Sequence, residues 1–493
     1  MTFTRMKNLL QTIRATFLLI LLLGSGLTVA AYDFASGGIY YNITSSTNMT
    51  VAVTYDSKTN NTYSGTVTIP EKVTYNGKTY YVTAIGDYAF VGCTGLKGVN
   101  ITSERTKTIG NYAFQGCNGL TSFVIPPQIT SIGNYVFSGC LEMTGLTIEE
   151  GDETLSLGYN SSSKGLFSDC PLTSVFIGRP LGYSTSSGYG YSPFAYNKSI
   201  VKVRLGNPIK KIYDYLLLGC SNLTTIEYDS QCKPTSVGTY AFSDCKSLTW
   251  AAVNLPQSVK TISDYAFRNC TGFSSLVIRP HITSIGNYVF SGCTEVTGLT
   301  IEEGDETLSL GYNSSSKGLF SDCPLTSVFI GRPLGYSTSS GYGYSPFANN
   351  KNIVEVRLGK KLTSIRNYMF YGCTHIDEVT CCAVAPPTAN ANCFANYNAT
   401  LYVPKGSVNS YRNAAVWKDF YSIIGIDIVD ETMPGDVDGN DKVNIDDVTS
   451  LINYILNSIA SGINTTNADV DGNGKVNIDD VTALIQLLLT GHL

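Results

Sequence analysis

The chain has 493 residues, with 43% hydrophobic and only 14% charged residues, 33 Tyr and 47 Gly. This composition excludes a charged helical bundle and favours β-rich structure with many turns. The net charge of −5 excludes a basic nucleic-acid surface, and it is concentrated in residues 435–493, where nine Asp face only Lys442 and Lys475.

Residues 1–31 read as a secretory signal. Arg5, Lys7 and Arg14 form a basic start, Phe17 to Leu23 is an unbroken apolar run, and Val29-Ala30-Ala31 offers small residues for cleavage. The apolar run is short for a membrane span. The mature chain is expected outside the cytoplasm, as a monomer with no membrane span.

Residues 32–83 precede the first clear repeat. Asn76-Gly77, between the β-rich runs Val73–Tyr75 and Lys78–Tyr80, is a strong hairpin signal. We expect this region to cap the open edge of the first repeat.

From residue 84 one pattern recurs. Its first copy is Ile85-Gly86-Asp87-Tyr88-Ala89-Phe90-Val91-Gly92-Cys93, followed by Leu96, Val99 and Ile101. The Cys slot returns at Cys117, Cys140, Cys170, Cys220, Cys245, Cys270, Cys293, Cys323 and Cys373, with Asn197 and Asn350 in two copies. That makes about twelve coils. A single coil cannot bury its own apolar edges but a stack can, so the pattern predicts a solenoid with a parallel sheet along one face. At about 4.8 Å per strand the sheet would run roughly 55 Å. Residues 144–195 are identical to residues 297–348, so a block of coils has been duplicated.

The pattern Ile-Gly-x-Tyr-Ala-Phe-x-Gly-Cys-x-x-Leu-x-x-Val-x-Ile resembles the BspA-like leucine-rich repeats of bacterial surface proteins. The resemblance covers roughly residues 32–428. It implies a repeat solenoid, over residues 84–428, that binds host matrix or other cell surfaces; the ligand expected is an extracellular protein or glycan. Ala399 to Pro404 with Tyr411, Trp417 and Phe420 resembles the family's closing cap.

Ten of the 14 Cys occupy the repeating slot. Because Asn fills it twice, we expect a column of buried thiols, not disulfides. Cys382 and Cys393 are candidates for one bridge, or remain reduced. The middle residue of each sheet strand points outward: Asn100, Val124, Thr147, Phe176, Arg204, Glu227, Ala252, Val277, Thr300, Phe329, Arg357 and Thr380. Phe176 beside Arg204, repeated as Phe329 beside Arg357, is a candidate ligand surface, because aromatic and Arg side chains are enriched at interfaces. The alternative is ordinary surface variety. Tyr183, Tyr189, Tyr191, Tyr336, Tyr342 and Tyr344, on the stretched coils, either contact a ligand or pack on the neighbouring coil.

After a linker at 429–434, residues 435–493 carry two loop-and-helix units 33 residues apart. Oxygen-bearing side chains at loop positions 1, 3, 5, 9 and 12 suit calcium. They are Asp436, Asp438, Asn440, Asn444 and Asp447, then Asp469, Asp471, Asn473, Asn477 and Asp480. Position 7 would ligate through the carbonyls of Lys442 and Lys475. Two ions are expected, the first site weaker because Asp441 replaces the turn glycine found at Gly474. The unit resembles the type I dockerin, whose partner in that family is a cohesin domain. The family recognises its partner through loop positions 10 and 11, here Ile445-Asp446 and Ile478-Asp479, which differ from the Ser/Thr-containing pairs common in that family.

His281, His375 and His492 sit in no nucleophile or metal motif. The carboxylates of Glu149 to Glu153, repeated at Glu302 to Glu306, read as solvated turns. No enzyme is expected. The functional expectation is an adhesin-like interaction protein with calcium-dependent docking. The alternative is a non-catalytic accessory of a polysaccharide-degrading complex.

Overall fold

A computed structural model of the chain describes residues 31–56, 62–158, 165–185, 192–311, 318–336, 345–390, 392–428, 435–438, 443–457, 463, 465–471 and 475–490. The signal segment therefore lies outside the described residues up to position 30. The chain divides into two compact units, Met1–Phe273 with Tyr288–Thr294, and Ser274–Asn287 with Glu295–Leu493. Each is built on parallel coils.

In the first unit, Phe34–Ser36, Ile39–Ser45 and Thr50–Thr54 form an antiparallel start. Lys72–Tyr75 and Lys78–Ile85 make the expected hairpin. Asn76 and Gly77 both have positive φ, 49° and 71°, the backbone that a two-residue turn of this hand requires. Lys78–Ile85 then turns parallel and pairs with Thr50–Thr54 and with Thr108–Ile109, the start of a ladder of short edge strands. On the opposite edge Gly65–Ile69 pairs in parallel with Leu96–Ile101, so the opening segment already supplies a coil strand.

Five strands follow in unbroken register: Ser122–Ile125, Gly145–Ile148, Ser174–Ile177, Lys202–Leu205 and Thr225–Tyr228. Phe123, Leu146, Val175, Val203 and Ile226 are aligned inward and buried. Period two then sends Val124, Thr147, Phe176, Arg204 and Glu227 to the outer face. Behind the sheet, Phe90, Phe114, Phe137, Phe167 and Phe194 stack nearly parallel at 5.0–5.5 Å, one ring per coil. Leu217 interrupts this aromatic row.

The next coil departs from expectation. Ala252 lies in a short helix, Trp250–Val253, and not on a strand. Thr249 caps it by accepting from the Ala252 N–H at 3.2 Å, and Trp-Ala-Ala favours helix over strand. The Trp250 ring lies edge-on to Phe267, Phe273 and Phe290 at 5.5–5.6 Å.

The second unit repeats the scheme. Ser275–Ile278, Gly298–Ile301, Ser327–Ile330, Glu355–Leu358, Glu378–Cys381, Thr400–Pro404 and Ser422–Ile426 form one parallel sheet. Its last strands belong to the closing cap. There Tyr411 and Trp417 are fully buried, the Tyr411 hydroxyl donating to the Ala383 carbonyl and the Trp417 Nε1 to the Pro387 carbonyl, both at 2.7 Å.

Tyr88, Tyr112, Tyr135, Tyr215, Tyr240, Tyr265, Tyr288 and Tyr368 all sit at φ 55–60°. Left-handed backbone costs a non-glycine residue about 1–2 kcal/mol. The stack offsets the cost. In this conformation Tyr88 and Tyr112 donate their N–H to the carbonyls of Asn111 and Asn134 on the next coil, both at 2.9 Å. Their rings stack at 5.0 Å.

Residues 435–490 form a separate small core. Val437, Val448, Leu451, Ala468, Val470, Val481 and Leu484 are buried between the helices Ile445–Asn457 and Ile478–Thr490.

Candidate calcium module and solenoid face

In the first loop, the carboxylates of Asp436, Asp438 and Asp447 converge with ligand atoms within 4.8 Å of one another. Asp469, Asp471 and Asp480 do the same in the second. Asp436, Asp447 and Asp480 are fully buried. Carboxylates gathered and buried in this way repel one another unless a cation joins them.

Backbone geometry builds each cluster. Asp447 Oδ1 accepts from Val437 N and Asp438 N at 2.7 and 3.1 Å, and its Oδ2 accepts from Asn444 N at 2.7 Å. Asp480 repeats this with Val470, Asp471 and Asn477 at 2.8, 3.2 and 2.7 Å. The carboxylate at position 12 thus ties its loop to the first turn of its helix. Asn444 and Asn477 have a role that spacing did not reveal. Their Oδ1 atoms accept from Asp446 N and Asp479 N at 2.6 and 2.7 Å, capping the helices. Lys475 is exposed, whereas Asn440, Asp441, Lys442, Asn473 and Gly474 lie outside the described residues.

Sequence reasoning missed Asn467. It is fully buried, its carbonyl accepts from Gly435 N at 2.8 Å, and its Nδ2 donates to the Asp436 carbonyl at 2.9 Å. It joins the segment before the second loop to the start of the first, and no motif marks it.

On the solenoid face, the Arg204 guanidinium lies 4.4 Å over the Phe176 ring. Asp229 holds that guanidinium through Nε at 2.7 Å. Phe329 is only 9% exposed. Neither ring of this candidate ligand surface stands free in water. One is covered by its arginine and the other is packed, because a flat ring laid along the sheet buries more apolar surface than one standing in water. Arg204 is exposed, and Arg357 is half-buried.

The stretched-coil tyrosines that are described also turn inward. Tyr183 donates its hydroxyl to the Asp214 carbonyl at 2.8 Å, and Tyr336 to the Asn367 carbonyl at 3.1 Å, each on the neighbouring coil. Tyr189, Tyr191, Tyr342 and Tyr344 lie outside the described residues. In the same segments Arg179 and Arg332 are fully buried. Arg179 donates to the carbonyls of Pro127 and Pro126 at 2.6 and 3.0 Å, and Arg332 to those of Pro280 and Arg279 at 2.8 and 3.0 Å.

The family model for the BspA type leucine-rich repeat region matches residues 60–187, 161–235, 233–336 and 316–418, which together span most of the chain. The chain belongs to the BspA-type leucine-rich repeat family. A type I dockerin domain is matched over residues 434–489. Both families are non-catalytic and typical of extracellular or surface proteins, and type I dockerins bind calcium.

Among solved structures, the BspA-type chain is similar to a leucine-rich repeat protein from Bacteroides ovatus (21% identity, TM-score 0.40, covering 80% of this chain and 100% of that one). It is also similar to a leucine-rich cell surface protein from Faecalibacterium prausnitzii (17%, TM-score 0.29, 79% and 93%). A third is the pneumococcal vaccine antigen PcpA (14%, TM-score 0.31, 80% and 98%). No curated protein matches the chain. No helix among the described residues is long and apolar enough to cross a membrane.

All 14 cysteines of the BspA-type chain are buried and none is joined in a disulfide, Cys382 and Cys393 included. Burial pushes the thiols of Cys220, Cys293 and Cys373 up to about 12, so they stay protonated at neutral pH.

Proposed function

We propose that this chain is a secreted interaction protein whose solenoid binds extracellular protein or glycan and whose dockerin module, folded around two calcium ions, docks to a cohesin-like partner. Residues 1–31 export it. Asp436, Asp438 and Asp447 are the side-chain core of one calcium site, and Asp469, Asp471 and Asp480 of the other. Asn440, the Lys442 carbonyl, Asn473 and the Lys475 carbonyl complete the loops, while Asn444 and Asn477 hold the helix starts.

The observation that carries the docking is a repeated apolar surface. Ile445 and Ile478 are 67% and 64% exposed, and Leu456 and Leu489 74% and 81%. Ile452 and Ile485 add a third such pair. A small domain leaving the same apolar positions in water on both helices supports the reading of a docking surface. The test is capture of the full chain by a panel of immobilised cohesin domains. Capture in calcium that is lost with chelator supports docking. If no cohesin retains the chain in calcium, the partner is of another kind.

On the solenoid, Arg204 stacked on Phe176 supplies a fixed cation at little entropic cost, with Arg357 as its duplicate. A glycan and matrix-protein array probed with the chain and with Arg204→Ala tests this face. An unchanged binding pattern in the variant removes it from consideration. A dockerin also favours the second reading, an accessory of a polysaccharide-degrading complex. Plant-polysaccharide hits on the array would point there, and host-matrix hits to an adhesin.

A further inference from the structure

The duplicated block supplies an internal comparison. The copies are identical over residues 144–195 and 297–348 and then diverge at one edge of the coil. In the first copy that edge reads Lys211, Ile212, Tyr213, Asp214, and in the second Ser364, Ile365, Arg366, Asn367. The inward isoleucine is kept and the residues around it are exchanged.

The exchange changes the surface. In the first copy Lys211 and Asp214 form an ion pair at 3.1 Å. The Tyr213 ring lies edge-on to Tyr183 at 6.2 Å, so this edge is filled and electrically closed. In the second copy the ion pair and ring are gone. A cleft of about 310 Å³ lies there, lined by Ser364, Ile365, Arg366, Asn367, Thr388 and Asn390 together with Ala389. Arg366 is poised over the Tyr336 ring at 5.3 Å. It takes part in none of the ion pairs among the described residues.

The lining therefore offers one guanidinium fork, the Ser364 hydroxyl, the acceptor side of the Thr388 hydroxyl, which donates to the Thr363 carbonyl at 3.3 Å, and the remaining donors and acceptor of two carboxamides, Asn390 Nδ2 donating to Asn367 Oδ1. Hydroxyls and carboxamides donate to and accept from a polyol, and the guanidinium matches a carboxylate in bidentate geometry. We propose that this cleft binds a sugar acid, a polyhydroxylated ring bearing one carboxylate, with the carboxylate on Arg366. The proposal rests on the reading that the solenoid takes extracellular ligands, and adds a ligand class and a place. The ring could come from a hexuronate of a polysaccharide or from a terminal sialic acid, which share this chemistry.

The test uses the full chain with D-galacturonate and N-acetylneuraminate as probes, and galactose and acetate as controls lacking the charge or the hydroxyls. Calorimetry or saturation-transfer NMR reads binding. At least one sugar acid should bind about tenfold or more tightly than either control. Arg366→Tyr, which installs the residue the other copy carries on the same backbone, should abolish the preference without changing the melting temperature. Arg366→Gln keeps a polar end while removing the charge and the fork, and should do the same. Failure of both acids to bind the parent overturns the proposal, as does undiminished binding by both variants. Arg204 is tested separately, so a negative result here leaves the sheet-face reading standing.

Discussion

The thiol of Cys140 donates to the carbonyl of Phe114, one coil back, at 3.1 Å. Cys117 makes the same bond to Phe90 at 2.9 Å, Cys170 to Phe137 at 3.0 Å, Cys270 to Phe242 at 3.1 Å and Cys373 to Phe347 at 3.1 Å. Cys245 does so to Leu217 at 3.2 Å. Loss of the phenyl ring in that coil leaves the bond intact because the acceptor is backbone. Where Asn fills the slot, its longer arm reaches the carbonyl of the preceding Cys instead: Asn197 to Cys170 at 2.9 Å and Asn350 to Cys323 at 3.0 Å.

From this ladder we expect Cys140→Ala to destabilise its unit by about 1 kcal/mol, since the buried Phe114 carbonyl loses one of its two donors and keeps the Cys117 N–H at 3.2 Å. Cys140→Ser restores a donor and should cost less than the alanine. Chemical denaturation of the three proteins checks the order. A thiol reagent at pH 8 should label ladder cysteines only after denaturant is added, because burial holds thiols such as Cys293 near 12.

Calcium should fold the dockerin module within the full chain. Chelation should remove the helical signal of Ile445–Asn457 and Ile478–Thr490 and leave the β signal of the coils. Asp447→Ala should be more damaging than Asp438→Ala, because Asp447 also accepts three backbone N–H bonds. Calorimetric calcium titration and circular dichroism test both points. An equally helical module in chelator would refute calcium-coupled folding.

The two halves of the module are not interchangeable at one position. Gly435 sits at φ 96°, and a Cβ there would lie 2.8 Å from Leu484 Cδ1 and 2.9 Å from Val443 Cγ1. Its counterpart 33 residues on is Ala468, buried without difficulty. Gly435→Ala should therefore weaken calcium-coupled folding by about 1–3 kcal/mol. Ala468→Gly should cost about 1 kcal/mol or less through chain entropy. Calcium affinity of the two variants reads the difference.

Glu302 provides a pH test. Burial raises its carboxyl above the usual range, opposed by Arg279 and Arg332. A carboxyl whose folded value exceeds its unfolded value binds protons more tightly when folded. Its contribution to stability therefore improves as pH falls toward that raised value, and the cost is fully present above it. Glu302→Gln should accordingly leave stability at pH 7 unchanged or slightly increased, and should flatten the pH dependence of melting above the ordinary carboxylate range. A large loss of stability at pH 7 would mean that attraction to Arg332 outweighs burial.

Repeat spacing alone determined that the chain stacks coils, because no unit of this pattern can bury Phe90, Leu96 and their equivalents by itself. The same holds for the Asn76-Gly77 hairpin, which only one turn geometry satisfies, and for the duplicated acidic loops, whose ligand spacing is local along the chain. What the sequence left open depended on neighbours distant along the chain, as far as the 52 and 53 residues from Arg179 to Pro127 and Pro126. Only tertiary structure decided that Trp250–Val253 is helical, since the Trp250 ring is seated by Phe267, Phe273 and Phe290. It also decided that Phe329 is buried and Phe176 covered, because alternation gives the side of the sheet but not how the ring lies upon it. The inward turn of Tyr183 and Tyr336, the buried Arg179 and the bracing Asn467 share one cause. Each is fixed by a backbone carbonyl on another segment, and a carbonyl carries no side-chain signature for the sequence to reveal.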